Sequence, residues 1–161
     1  MSRPRKRRSK GNFDEFWSLL RIDREGALQC RETILLAEDD NAVLEICQYI
    51  LEKQGYLVMA ARTPNEALSY ANVYPGDIHL LITDLMMPEM GGGELQRRLQ
   101  VSRPQMKSLF ISGYTERFVS KSFDLPRNFS FIQKPFNSST FCEKVHEVLS
   151  KEHTGDIAEG R

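Results

Sequence analysis

Four places in this chain set polar, chemically capable side chains directly after short apolar runs. Glu38, Asp39 and Asp40 follow "TILLA", Asp84 ends "LLITD", Ser112 ends "SLFIS", and Lys134 follows "SFIQ". One polar residue at a strand end is cheap, because strand ends meet water. Acids, a hydroxyl and a lysine at four such ends ask for a chemical reason. Carboxylates brought together repel one another and invite a cation. Mg2+ suits them, since it takes one or two carboxylates, keeps water ligands and pairs with phosphate oxygens. Zinc does not suit this chain: His79, His146 and His153 are scattered, and Cys30, Cys47 and Cys142 have no paired spacing. The segment "EDDNAV" lacks the G-x-G-x-x-G of a dinucleotide site, and neither G-x-x-x-x-G-K-[ST] nor G-x-S-x-G occurs. What remains is an aspartate without an evident general base, beside a lysine and a cation site. Aspartate can itself be the nucleophile toward a phosphoryl group. Such a transfer depends on positioning and charge neutralisation more than on proton movement.

Those side chains meet only if the elements carrying them are ordered in a particular way. Strand-like segments at 33–38, 56–60, 77–84, 107–113 and 129–133 alternate with helical segments at 41–55, 63–73, 93–102 and 137–152. In the first helical segment Val43, Cys47, Ile50 and Leu51 share a face, and Gly55 is a suitable terminator. Thr63-Pro64 opens the second as a cap followed by proline. Leu95 and Leu99 point inward from the third, and Phe141, Val145, Val148 and Leu149 form the stripe of the last. The stretch 114–128 is the least regular, with one short helix expected around 115–121 and a loop at Pro126.

This alternation predicts an α/β fold, a flavodoxin-like doubly wound sheet of five parallel strands in the order 2-1-3-4-5 with helices on both faces. In that order the first and third strands are neighbours, about 4.8 Å apart. Their connections leave to opposite faces, so a crevice opens between Asp39 and Asp84 at the carboxyl edge of the sheet.

The bulk composition agrees with one globular domain in 161 residues, because 40% hydrophobic and 27% charged residues are ordinary for that class. No apolar run approaches the roughly 18 residues of a membrane span. The odd, unpaired cysteines predict reduced thiols and a cytoplasmic setting. The net charge of zero conceals an asymmetry: residues 1–31 hold nine Lys or Arg against four Asp or Glu, and the remainder carries the compensating acidic excess.

Four segments together resemble one family, the receiver domains of two-component response regulators: "ILLAEDD", "ITDLMMPEMGG", "FISGYT" and "IQKPF". The resemblance covers roughly residues 32–150. It implies that Asp84 is the phosphoacceptor and that Mg2+ is held by Glu38, Asp39, Asp84 and the backbone carbonyl of Met86, with Glu38 acting through a coordinated water. Lys134 would pair with the phosphoryl group, and Ser112 would hydrogen-bond it. Phe131, three residues before Lys134, falls where the family places an aromatic that turns inward on activation, so Ser112 and Phe131 would form the switch. Met86 and Tyr114, two residues past Asp84 and Ser112, occupy positions that tune phosphoryl lifetime. No metal role is given to Asp40, because Asn41 opens the helix and Asp40 reads as a cap as readily as a ligand. "FISGYTE" with "FIQKPF" is most similar to receivers attached to hybrid histidine kinases.

The implied function is a phosphorylation-activated signalling switch. It is not a classical enzyme, but it catalyses phosphorylation and dephosphorylation of its own aspartate. The donor would be a sensor histidine kinase or a phosphotransfer protein, since no kinase signature is present. The downstream target is unspecified, and homodimerisation is left open by the weak helix near 115–121. Two other readings stand beside it: a receiver-like interaction module that never sees phosphate, and a nucleic-acid-binding adaptor acting through its basic end. Six of the first ten residues are Lys or Arg, which reads first as a solvated, disordered tail over 1–12. Residues 13–31 offer an extra helix capped by Asn12, with Phe13, Phe16, Trp17 and Leu20 on one face. Residues 151–161 form a tail too short for an output domain, so signalling through protein contacts is expected, unless the chain is a piece of something longer.

Overall fold

The structure, a computed structural model, describes residues 32–151. The expectations for the basic tail, the Asn12-capped helix and the last ten residues lie outside the described residues. Among the described residues, five strands alternate with five helices: β1 Thr33–Ala37, α1 Asn41–Lys53, β2 Leu57–Ala61, α2 Pro64–Val73, β3 Leu80–Asp84, α3 Gly92–Ser102, β4 Lys107–Ser112, α4 Glu116–Ser122, β5 Ser130–Gln133 and α5 Ser138–Ser150. All neighbouring strands are parallel, in the order β2-β1-β3-β4-β5. This is the flavodoxin-like order the alternation of segments predicts.

The strands read as unbroken apolar runs because both faces of the sheet are covered. Ile34, Leu36, Leu80, Ile82, Leu109 and Ile111 face one way, into the main core. Leu44, Cys47 and Leu51 of α1 and Phe141, Val145 and Val148 of α5 meet them there. Burying each such side chain contributes about 1.5–3 kcal/mol relative to leaving it in water. Helices α2 and α3 pack on the other face, against β1, β2 and β3. There Leu85 and Phe110 join Val119 of α4 in a second, smaller core, with Phe123, Leu125, Phe129 and Phe131 packed on it.

The stripe expected on α1 is rotated by part of a turn. Leu44, Cys47 and Leu51 are buried, whereas Val43 and Ile50 flank them half-buried. Positions spaced i, i+3 and i+4 define two overlapping faces, and only packing against α5 and the sheet chooses between them. The caps follow local chemistry. Asp40 takes the cap role: its carboxylate accepts from the Ala42 and Val43 N–H groups at 2.9 and 3.1 Å. Thr63 accepts from Glu66 N–H at 3.1 Å, with Pro64 in the first turn, and Gly55 leaves α1 at φ +91°. Strand β3 starts at Leu80 rather than Asp77, although the His79 N–H still donates to the Thr33 carbonyl at 2.9 Å.

Candidate functional site

The register decides which side chains converge. Ala37 pairs with Ala61 and Thr83, Asp84 with Ile111, and Ser112 with Gln133, so the strands end in step at one edge. The Glu38 N–H donates to the Ala61 carbonyl at 3.1 Å, and the Lys134 N–H to the Ser112 carbonyl at 2.8 Å. These backbone bonds extend the ladder by one residue and fix where both side chains start.

At that edge one carboxylate oxygen each from Glu38, Asp39 and Asp84 lies within 4.8 Å of the others. The Lys134 ammonium donates to Glu38 Oε2 at 2.8 Å and to Asp84 Oδ2 at 2.6 Å. Asp84 Oδ1 accepts from the Met86 N–H at 2.7 Å, and Glu38 Oε1 from the Asp40 N–H at 3.1 Å. Glu38 is 1% exposed, whereas Asp39 is open to solvent. Among the described residues the Asp39 carboxylate has no hydrogen-bond or ion-pair partner.

Burial pushes the Glu38 carboxyl above its usual range. The bonds from Lys134 and the Asp40 amide pull it back without cancelling the push, and the Asp84 charge adds to it. Burial pulls the Lys134 ammonium down, but its bonds to Asp84 and Glu38 outweigh that and hold it above the usual lysine value. Three carboxylates against one ammonium leave a local excess of negative charge, with one carboxylate exposed and unshared. The donor set is oxygen only, and it therefore fits a small, hard divalent cation such as Mg2+ better than a soft one. Cys47 offers no thiolate here, since burial and then the Glu38 charge lift its thiol to about 12.

Around this centre the remaining residues occupy distinct places. Ser112 is 1% exposed, and its hydroxyl accepts from the Tyr114 N–H at 3.1 Å. Tyr114 and Met86 are half exposed, at 46% and 54%. The Tyr114 ring lies against Phe118 of α4, centroids 4.7 Å apart. Phe131 sits between the second core and the surface, away from the carboxylates. The structure thus brings Glu38, Asp39, Asp84 and Lys134 into direct contact or near contact, and packs Phe131 on the second core beside Phe129.

Two residues around Asp84 escaped the sequence reading. The turn after Pro88 is made by Glu89 at φ +70°, a left-handed conformation rare outside glycine, and its carboxylate accepts from Asn65 Nδ2 of α2 at 3.2 Å. Gly92 opens α3 so close to β3 that a Cβ there would overlap the Asp84 carbonyl oxygen and stand 2.9 Å from the Thr83 side chain. The triple glycine was the available signal, but three glycines in a row do not say which one touches the strand.

Residues 34–146 match the family described as the response regulator receiver domain. The sensor kinase CckA of Brucella abortus is 32% identical over 132 residues, which cover 82% of this chain and 14% of that kinase. The response regulator receiver protein CpdR of the same organism is 36% identical over 116 residues, 72% of this chain and 95% of CpdR. Among solved structures, the receiver domain from the hybrid histidine kinase CckA superposes with a TM-score of 0.62 at 32% identity, covering 73% of this chain and 98% of that domain.

Proposed function

The chain belongs to the response regulator receiver domain family, and on that premise we propose that it is a phosphorylation-controlled switch of a two-component system with Asp84 as the phosphoacceptor. The observation that carries this reading is the Lys134 ammonium shared between Glu38 and Asp84, with Asp39 beside them. Residues 32–150 form the switch, flanked by 1–31 and 151–161.

An Asp84 carboxylate oxygen attacks the phosphorus of a phosphohistidine on a histidine kinase or phosphotransfer protein. The P–O bond to Asp84 forms as the P–N bond to the imidazole breaks, and the imidazole leaves with its electron pair. Lys134 holds the incoming oxygens and neutralises part of their charge. Glu38, Asp39, Asp84 and the backbone carbonyl of Met86 would hold Mg2+, which when bound supplies further charge neutralisation to the phosphoryl oxygens. The Ser112 hydroxyl turns to donate to the new phosphoryl group, leaving its present position beside the Tyr114 N–H. Phe131 follows into the space this opens, and the face of α4, β5 and α5 changes shape. A downstream protein reads that face. Met86 and Tyr114 flank the phosphoryl group and set how easily a hydrolytic water reaches it.

Among the described residues no helix is long and apolar enough to cross a membrane, and Cys47 and Cys142 are free thiols. The free thiols fit a reduced, cytoplasmic setting for a histidine-to-aspartate transfer.

The test is direct. The full chain is incubated with Mg2+ and acetyl phosphate and weighed by intact mass spectrometry, alongside Asp84→Asn. A mass gain of one phosphoryl group in the wild type alone supports the reading. No gain, together with no beryllofluoride-induced amide shifts, would leave an interaction module that works without phosphate.

A further inference from the structure

Strand β5 is an outer strand of the sheet, so among the described residues no strand covers its free side. Helix α5 packs into the main core and α4 into the second, so the two helices flank β5 from opposite faces. Beside the strand, between these helices, lies a cavity of about 560 Å3. Its apolar lining comes from Phe131, Pro135 and Phe136. Phe136 is fixed there by stacking on the buried Phe141, with ring centroids 5.1 Å apart and planes at 22°. Two exposed acids line the same cavity, Glu116 from the first turn of α4 and Glu143 from α5. Among the described residues neither has an ion-pair partner, although Glu143 accepts from the Ser139 hydroxyl at 3.2 Å. Lys144, which also lines the cavity, is already engaged: its ammonium meets Glu147 at 3.1 Å, and Lys151 reaches the same carboxylate at 3.0 Å. The groove therefore has an apolar floor and uncompensated negative charge on the side of each helix.

We propose that this groove docks a segment of a partner protein in which an apolar side chain stands between Lys or Arg residues. The apolar side chain seats on Phe131 and Phe136, and the cations meet Glu116 and Glu143. The inference rests on the reading above that a downstream protein recognises the face of α4, β5 and α5, and it names the chemistry of that protein. The two kinds of contact do different work. Aromatic floor area removed from water supplies most of the affinity. Exposed ion pairs are weak singly, so the two acids chiefly select the partner and speed its encounter. A segment with acidic flanks meets like charge on both sides of the groove and is turned away, which makes the acids a device of selectivity.

The experiment titrates three synthetic peptides into the full-length protein with Mg2+, with and without beryllofluoride, followed by amide NMR shifts. Each peptide has the same Leu-Phe core, flanked by pairs of lysines, of serines or of glutamates. The lysine peptide is expected to shift the amides of Phe131, Phe136 and Thr140, and to bind there roughly tenfold more tightly than the glutamate peptide at low salt. The difference should shrink as salt is added. Glu116→Gln combined with Glu143→Gln should weaken the lysine peptide by roughly threefold to tenfold and leave the serine peptide unchanged. Thr140→Arg, an exposed position in the groove, puts a cation between the acids and should weaken the lysine peptide further. Equal binding of the lysine and glutamate peptides at these amides, shifts elsewhere only, or a double variant that binds as the wild type does overturns the proposal. Groove shifts that depend on protein concentration alone make the occupant a second copy of this chain, and overturn it too. If the charge preference holds but affinity is the same with and without beryllofluoride, the groove keeps its chemistry, and what fails is the reading of this face as the one the switch alters.

Discussion

Lys134 Nζ stands 2.6 Å from Asp84 Oδ2, although their strands, β5 and β3, are separated by β4. The contact spans a full strand because both residues lie at the carboxyl edge, where a lysine can lean across the tip of β4. Glu38 receives the same ammonium from the far side, at 2.8 Å.

Lys134→Ala removes the only cation bonded to this pair among the described residues and leaves two carboxylates facing each other. We expect a loss of about 1–3 kcal/mol in urea unfolding without Mg2+, allowing for the partial exposure of the lysine. Added Mg2+ should restore more stability to the variant than it gives the wild type. Phosphorylation by acetyl phosphate should slow by roughly 100-fold or more. A variant as stable and as quickly phosphorylated as the wild type would remove Lys134 from the site.

Gly92→Ala places a methyl group against the Asp84 carbonyl oxygen and the Thr83 side chain, so α3 has to back away from β3. The expected cost is about 1–3 kcal/mol by chemical denaturation. Gly113→Ala makes the informative comparison, since a Cβ there meets nothing within 4 Å, and it should change stability by less than about 0.5 kcal/mol. Equal effects at the two positions would contradict the packing argument.

Tyr70 gives the fold an alkaline limit. Burial, and then the 2.6 Å bond its hydroxyl donates to Glu66, lift its phenol from 10 to about 12. The folded state therefore keeps the proton after the unfolded chain has lost it. This contribution is complete below pH 10 and fades as the pH rises toward 12. Its size is about 1 kcal/mol, because Tyr70 is partly exposed and solvent screens the effect. Unfolding free energies across that window should flatten in Tyr70→Phe, and an unaltered slope would refute the assignment.

Met86→Asn combined with Tyr114→Ser replaces two bulky, half-exposed side chains, two residues past Asp84 and Ser112, with small polar ones. Water should then reach the phosphoryl group more easily, and the label should be lost roughly tenfold faster. Decay followed by mass spectrometry after donor removal decides it, and an unchanged half-life would count against both residues.

Much of this molecule was legible before its structure. A strand buried on both faces reads as an unbroken apolar run, so a polar residue at its end stands out, and Glu38, Asp84, Ser112 and Lys134 were found that way. Caps were legible for the same local reason: Thr63-Pro64 and the Asp40-Asn41 step carry their chemistry within one helical turn. The rotated stripe of α1 and the close approach of Gly92 were not. Leu44 is buried in place of Val43 because α5 and the sheet lie on that side, and Gly92 is needed because α3 starts against the Asp84 carbonyl. Neither neighbour is close in sequence.

The region between β4 and β5 shows the division most clearly. Its sequence gives weak helix signals and a proline, and α4 is indeed only seven residues long. Its phenylalanines carry no periodicity to read. In the fold Phe123 and Phe129 gather on Phe110 and Leu85, whereas Phe118 stays half exposed against Tyr114, so part of this segment is held by side chains of distant elements. The sequence alone determined which side chains stand at strand tips, because burial is written in composition over a few residues. Tertiary structure alone decided that Lys134 reaches Asp84 and that Phe129 meets Phe131 at an angle. Those distances depend on strand order, register and twist, which are set by packing across the whole sheet.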